Sequence, residues 1–243
     1  MYPNYSLEKV EKVFNKNNLK KRSPRILFLY GSLRDKSYSF LLAKQAMKII
    51  KSFGAEVEIF HPHDLPLADI SLTQNPDQSL LSDSVKQMRK LMNWADAMVW
   101  VSPEVHGAMS SVFKNIIDWM PLSLGAVRPT QGKLLALMQV TGGSQSFNTL
   151  NQMRILGRWM RMITIPNQSS VPLAYTQFNE DGSMKESNYK DRVVDLMEEL
   201  FKYCILFQGN IEFLHQRYSE QKDKKNITNN NHSNWKSAKE SLT

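Results

Sequence analysis

Residues 25–50, RILFLYGSLRDKSYSFLLAKQAMKII, pass from six nearly continuous apolar positions, through a glycine and small polar residues, into a segment with helical apolar spacing. An apolar run of that kind suits a strand covered on both faces, which is the condition of a parallel sheet. In the segment that follows, SFLLAKQAMKIIKSFG (39–54), Phe40, Ala43, Ala46, Met47 and Ile50 share one side, and Gly54 supplies a C-terminal stop. Strand, tight junction and helix in this order open a βαβ unit.

The rest of the chain repeats that alternation. AEVEIF (55–60) reads as a second strand near an edge, LLSDSVKQMRKLMNWA (80–95) as a helix, DAMVWVS (96–102) as a third strand, and MSSVFKNIIDWM (109–120) as a helix stopped by Pro121. KLLALMQV (133–140) is a fourth strand, NTLNQMRILGRWMRM (148–162) a helix, ITIPNQSSVPLA (163–174) a fifth strand, and SNYKDRVVDLMEELFKYCILF (187–207) a long closing helix. The expectation is one doubly wound α/β domain around a five-stranded parallel sheet.

A chain of 243 residues with 42% apolar content can build one large core, and 10 Gly with 10 Pro exclude a fibrous or low-complexity chain. The single cysteine, Cys204, excludes an internal disulfide and any multi-cysteine zinc site, and its apolar neighbours point to core packing. The net charge of +8 comes from the ends: residues 1–25 contribute +5 and residues 221–243 contribute +3, so residues 26–220 sum to zero. Basic ends of this kind suit nucleic acid or an anionic surface, although solubilising termini are commoner. No run is long and apolar enough for a membrane span, and the N-terminal stretch, with Glu8 and Glu11 and no apolar core, lacks the features of a secretory signal, so the expected location is the cytoplasm. Residues 1–24 read as an arm able to pack on a neighbouring subunit, residues 25–218 as the domain, and residues 219–243 as a polar tail.

Small and polar residues gather after strands one, three and four: GSLRDKS, SPEVHG and TGGSQS. In an open parallel sheet these loops share the carboxyl edge, where ligands bind near the reversal in strand order. The first has neither GxGxxG nor GxxxxGK[ST], so it is neither a dinucleotide fingerprint nor a P-loop. It retains hydroxyls on Ser32, Ser37 and Ser39, exposed N–H groups at a helix start, and the guanidinium of Arg34, which together suit one phosphomonoester. The paired glycines of the third loop present backbone N–H groups to the polar edge of a flat heteroaromatic ring. A phosphate cradle beside two glycine-bearing walls suits a mononucleotide, and flavin mononucleotide (FMN) is the one found at this place in flavodoxin-like sheets. Two other segments stay open. Ile116, Ile117, Trp119, Met120, Leu122 and Leu124 suit either the core or a subunit contact, and Arg154, Arg158 and Arg161 share a helix face suited to solvent, a partner's acids or the 2'-phosphate of NADPH.

GSLRDKSYS resembles the GSxRxxS phosphate-loop motif of the NAD(P)H-dependent FMN reductases. The longer runs SPEVHGAMSSVFKNIIDWMPLSLGAVRPTQGK and MQVTGGSQSFNTLNQMRILGRWMRMITIPNQSSV are similar to the arsenical-resistance branch of that family. The resemblance covers about residues 25–218 and implies a flavodoxin-like three-layer sandwich. It implies that Ser32, Arg34, Ser37 and Ser39 hold the flavin phosphate. Pro103, Glu104, Val105, His106 and Gly107 would line the ring and ribityl side, and Gly142, Gly143, Ser144 and Gln145 would meet the ring's polar edge. It further implies NADPH as hydride donor, quinones, azo compounds and oxygen as electron acceptors, oxidation of trivalent organoarsenicals as partner substrates, and a homotetramer. Alternatives are a general quinone or flavin reductase without an arsenical role, an electron-transfer flavodoxin, and a nucleic-acid module using the basic ends.

Overall fold

The computed structural model describes residues 22–73, 77–121, 128–215 and 217–218. The expected arm over residues 1–24 and tail over residues 219–243 therefore lie almost wholly outside the described residues, as do Leu122 and Leu124.

Five parallel strands form the central layer: β1 (Arg25–Tyr30), β2 (Glu56–Phe60), β3 (Ala97–Val105), β5 (Leu134–Val140) and β6 (Ile163–Val171). Their order is β2-β1-β3-β5-β6. The flanking helices are α1 (Tyr38–Ser52), the short α2 (Ile70–Thr73), α3 (Asp83–Trp94), α4 (Ser111–Asp118), α5 (Asn148–Trp159), α6 (Asn188–Phe207) and α7 (Ile211–His215). Along β1 the side chains alternate between two cores. Ile26, Phe28 and Tyr30 join α1 and α6 on one face, while Leu27 and Leu29 join α3, α4 and α5 on the other. Burial on both faces explains why the strand reads as an unbroken apolar run. Hydroxyl caps set where several crossover helices begin: Ser37, Ser82, Ser110 and Ser187 accept the N–H of Phe40, Val85, Phe113 and Lys190. Each such cap contributes about 1 kcal/mol.

The strand order reverses between β1 and β3: β1 leads by crossover to β2 on one side, and the chain then returns to β3 on the other. Their carboxyl ends diverge into loops that leave a crevice, the position where this topology binds ligands.

The structure corrects or decides three features of the sequence reading. First, the third strand does not stop at Ser102. It continues to Val105, turns through His106 and Gly107, and pairs antiparallel with a two-residue strand, β4 (Ala108–Met109). Both turn residues have positive φ, 51° and 72°, which is the two-residue hairpin whose twist matches that of the strands. Second, Ile116, Ile117, Trp119 and Met120 are buried within this one chain, with Trp119 donating to the Pro66 carbonyl at 2.7 Å, so they form core rather than a subunit contact. Third, Arg154 is taken up locally. β6 shifts register against β5 near Pro166, and Arg154 ties the displaced carbonyls of Ile165 and Pro166 at 3.2 and 2.7 Å and bonds Gln168 Oε1 at 2.6 Å. Arg161 bonds Gln131, leaving Arg158 as the exposed arginine of the three.

Candidate functional site

The loop after β1 is held against α4. Gly31 donates to the Val101 carbonyl at 2.9 Å and accepts from Ser110 Oγ at 2.7 Å. A Cβ on Gly31 would stand 2.5 Å from Ser110 Oγ and 2.6 Å from Phe113 Cβ, so packing alone demands glycine here. Ser32, Ser37 and Ser39 are buried, and their hydroxyls are organised: Ser32 Oγ accepts from Arg34 N at 3.2 Å, and Ser37 Oγ lies 3.3 Å from Ser39 Oγ. Arg34 is exposed, and its guanidinium has no partner among the described residues. The backbone N–H groups of Leu33, Asp35 and Lys36 also find no acceptor among the described residues. Unpaired N–H groups, buried hydroxyls and one exposed cation at a helix start make an anion cradle.

Two histidines that the sequence reading passed over brace this loop. The chain leaving β2 places His63 Nε2 to donate to the Leu33 carbonyl at 3.1 Å, with Asp35 at 4.0 Å. His61 Nδ1 shares a 3.0 Å hydrogen bond with the Tyr30 hydroxyl, whose pKa is pushed above its usual value by burial and then by Asp35. No local pattern marks them, because the contact joins the ends of β1 and β2.

The second wall is the β3–β4 hairpin. Pro103 and Glu104 are half-buried in it, while Val105 and His106 are exposed at its tip beside Gly107. From α5, Gln152 clamps the hairpin by donating to the Gly107 carbonyl at 3.2 Å and accepting from Met109 N at 3.3 Å. Glu104 is oriented by Gln139, which was also missed. Fully buried at the end of β5, the Gln139 amide donates to Glu104 Oε2 at 3.1 Å and to the Ser146 carbonyl at 2.7 Å, and its oxygen accepts from Leu150 N at 3.0 Å. A buried polar residue in the apolar run LLALMQV was the available signal.

The third wall, residues 141–146, has its carbonyls turned inward. Thr141 Oγ1 donates to Gly143 O and Ser144 O at 3.1 Å each, Leu173 N donates to Gly143 O at 3.0 Å, and Ser170 Oγ donates to Ser146 O at 2.6 Å. The N–H groups of Gly142, Gly143, Ser144 and Gln145 have no acceptor among the described residues. Gly142 and Gly143 have no positive φ, and a Cβ at either would meet nothing within 4 Å. Neither backbone conformation nor internal packing therefore requires these two glycines. What they keep open is the space outside the loop. Because β1, β3 and β5 are adjacent, the structure brings all thirteen sequence-designated positions to one rim, with the hairpin standing between the serine loop and the glycine loop.

Comparison with known proteins supplies the class. The model of the family described as NADPH-dependent FMN reductase matches residues 24–176. The chain belongs to that family. It is 56% identical over 200 residues to the NADPH-dependent FMN reductase ArsH of Acidithiobacillus ferrooxidans, covering 82% of this chain and 81% of that protein. It is 57% identical over 200 residues to ArsH of Rhizobium meliloti, covering 82% and 80%. Among solved structures, FerB, a flavoenzyme NAD(P)H:(acceptor) oxidoreductase from Paracoccus denitrificans, superposes with a TM-score of 0.58 at 22% identity, over 74% of this chain and 97% of that one, which supports the flavodoxin-like fold. As a member of this FMN reductase family the chain is a redox enzyme with FMN and NADPH as cofactors. The residues present fit FMN: the serine loop offers donors for a phosphate, and the glycine loop offers N–H groups and open space for a flat ring.

Proposed function

We propose that this chain is an ArsH-type reductase whose carboxyl rim would hold FMN, coupling the oxidation of NADPH to the reduction of quinones, azo compounds and oxygen, with the peroxide formed from oxygen oxidising trivalent organoarsenicals. The observation that carries the reading is the pair of glycines, 142 and 143, freed of any internal requirement in a stretch of four N–H groups that have no acceptor among the described residues. When bound, FMN supplies hydride acceptance and one- or two-electron release. Every other contribution comes from the chain. Ser32, Ser37, Ser39 and Arg34 anchor a phosphate, and N–H groups of Gly143 and Ser144 stabilise negative charge at the ring's polar edge. The hairpin holds Pro103 to Gly107 as a wall, kept rigid by Gln139 and Gln152. Exposed Val105, Phe147, Leu173 and Tyr175 lie on the same rim and form an apolar platform suited to planar acceptors.

Cys204 cannot serve the arsenical. It is 4% exposed, burial pushes its thiol up to about 12, and it sits on α6 near the opposite end of the sheet. With no second cysteine in the chain, an organoarsenical must be held loosely and oxidised by peroxide formed from oxygen at the flavin site rather than captured by thiolates.

The reading includes a homotetramer located in the cytoplasm. Ile70 and Trp159 are 75% and 61% exposed and line a cavity of about 590 Å³ between α4 and α5, an apolar surface suited to burial against another copy. Among the described residues no helix is long and apolar enough to cross a membrane.

The test is a side-by-side assay. Purified protein reconstituted with FMN should show flavin absorbance bleached by NADPH under anaerobic conditions, and colour should return with quinone, azo dye and oxygen in separate cuvettes, with methylarsenite converted to methylarsenate when it is added together with oxygen. Return with quinone and oxygen but no methylarsenate formed from methylarsenite in the presence of oxygen would remove the arsenical role and leave a general reductase. Bleaching that needs an added protein partner would favour an electron-transfer flavodoxin.

A further inference from the structure

Helices α1, α3, α4 and α6 each begin on a serine hydroxyl, and α5 does not. Ser37, Ser82, Ser110 and Ser187 take the N–H at the third helical position, whereas Phe147, which precedes α5, makes no side-chain cap. The corresponding N–H of α5 belongs to Leu150, and it is accepted at 3.0 Å by Gln139 Oε1 from the end of β5. A strand side chain thus does for this helix what a local hydroxyl does for the others.

Gln139 does more than a serine could. It is fully buried, so its amide nitrogen also needs partners inside the protein, and it donates to the Ser146 carbonyl at 2.7 Å and to Glu104 Oε2 at 3.1 Å. The three partners lie on three segments: Glu104 on the hairpin wall, Ser146 at the end of the glycine loop, and Leu150 in the first turn of α5. Two residues further along α5, Gln152 returns to the hairpin, donating to the Gly107 carbonyl at 3.2 Å and accepting from Met109 N at 3.3 Å. The hairpin is therefore held through Glu104 by β5 and through its tip by α5, and Gln139 joins those two supports to each other.

An amide is what this position demands. Leucine would fill the space but leave Leu150 N and Glu104 Oε2 without this partner, and glutamate could accept from Leu150 N but could not donate, and would stand against the Glu104 carboxylate. The Ser146 carbonyl has a second donor in Ser170 Oγ at 2.6 Å, so the bond to Glu104 is the one whose loss frees a wall of the site. None of the three partners of Gln139 lies on the serine loop.

We propose that Gln139 is the positioning residue of the flavin ring: it fixes the hairpin and the glycine loop as one cleft, and so governs affinity for the ring and not for the phosphate. The inference rests on the FMN reading given above. FMN and riboflavin share the ring and differ in the phosphate, which makes the pair a direct probe. Loss of the Gln139 bridge weakens both ligands by the same factor and leaves their ratio unchanged. Loss of a phosphate anchor such as Arg34 weakens FMN alone.

The experiment is a fluorescence titration of the full-length chain with FMN and, separately, with riboflavin. Gln139→Glu should weaken both by about tenfold or more, the scale of a lost hydrogen bond to a charged group, at an unchanged FMN-to-riboflavin ratio. Adding Glu104→Gln exchanges the two roles, because the amide then on the hairpin donates to the carboxylate then on β5, which still accepts from Leu150 N. The double variant should recover most of the lost affinity for both flavins, a rescue that a position needed only for volume would not show. Where Gln139→Glu fails to fold, Glu104→Ala decides, since it removes one partner at a half-buried position: both flavins should weaken severalfold at an unchanged ratio. Arg34→Ala is the control and should weaken FMN while sparing riboflavin. Unchanged affinity for both flavins in the Gln139 or Glu104→Ala variant, a loss confined to FMN, or a double variant as weak as Gln139→Glu would overturn this role alone. Wild-type protein that bound neither flavin would overturn the FMN reading and this role with it.

Discussion

At the carboxyl rim the protein leaves its own backbone donors unmatched among the described residues: N–H groups of residues 142–145 have no acceptor there, while the carbonyls of Gly143, Ser144 and Ser146 are tied by Thr141 and Gln139. At the amino rim of the same strands the groups are charged side chains, and Asp96 and Arg22 satisfy one another. Neutral, rigid donors complement a phosphate and a ring whose charge changes during turnover, without presenting a fixed counter-charge that would hold one redox state too tightly. Full charges behave differently: each costs desolvation when buried, so the amino rim pairs most of them and leaves a residual positive charge on Lys133. One sheet thus has a rim where a glycine loop leaves backbone donors for a ligand and a rim where charged side chains pair with one another, and at the first the open space depends on glycine.

That dependence can be broken in two distinct ways. Gly31→Val should be the most damaging change, since its side chain would enter space held by Ser110 and Phe113; a loss of about 2–3 kcal/mol is expected from overpacking, read by urea denaturation. Gly143→Ala sharpens the contrast. Its Cβ meets nothing in the protein, so stability should hold or rise by up to about 1 kcal/mol, while FMN affinity falls by about tenfold, equivalent to about 1.4 kcal/mol, in a fluorescence titration. Equal loss of stability and affinity would mean that the loop needs glycine for itself.

The smallest effect is expected at the amino rim. Cys204→Ser should leave NADPH-driven quinone reduction within about twofold, the scatter expected of a change away from the reacting groups. A loss above about tenfold, or about 1.4 kcal/mol of transition-state stabilisation, with flavin content intact would contradict the assignment of this thiol to packing. Its pKa, raised by burial from 9.0 to about 12, gives a second readout. Below pH 9 the thiol is protonated in both folded and unfolded chains and contributes nothing to pH dependence. Between pH 9 and about 12 the unfolded chain loses the proton first, so stability falls as pH rises, by at most about 1.4 kcal/mol per unit. The serine variant should show a shallower decline over that window.

Much of this architecture was visible in the chain. RILFLY is β1 to the residue, and the alternation of runs gave the five parallel strands in sequence order, because strands buried on both faces and helices with one apolar stripe carry distinct periods. The hairpin after Ser102 was not visible. His-Gly is an uncommon pair for a turn with two positive φ values, and Pro103 with Glu104 reads as loop until Met109 is seen opposite Glu104. Arg154 misled for a related reason: its helical spacing with Arg158 and Arg161 is real, but the carbonyls it binds exist only because β6 slips against β5.

By itself the sequence determined the layers, the five parallel strands and the chemical character of each loop, since these follow from local spacing of apolar, glycine and hydroxyl residues. Tertiary structure alone decided the strand order that opens the crevice, the bracing by His61, His63, Gln139 and Gln152, and the meeting of Arg22, Asp96, Lys133 and Gln208 at the far rim. The physical reason is distance along the chain: Asp96 and Arg22 are 74 residues apart, and Gln208 and Arg22 are 186 apart, so no local pattern records that folding brings their side chains together.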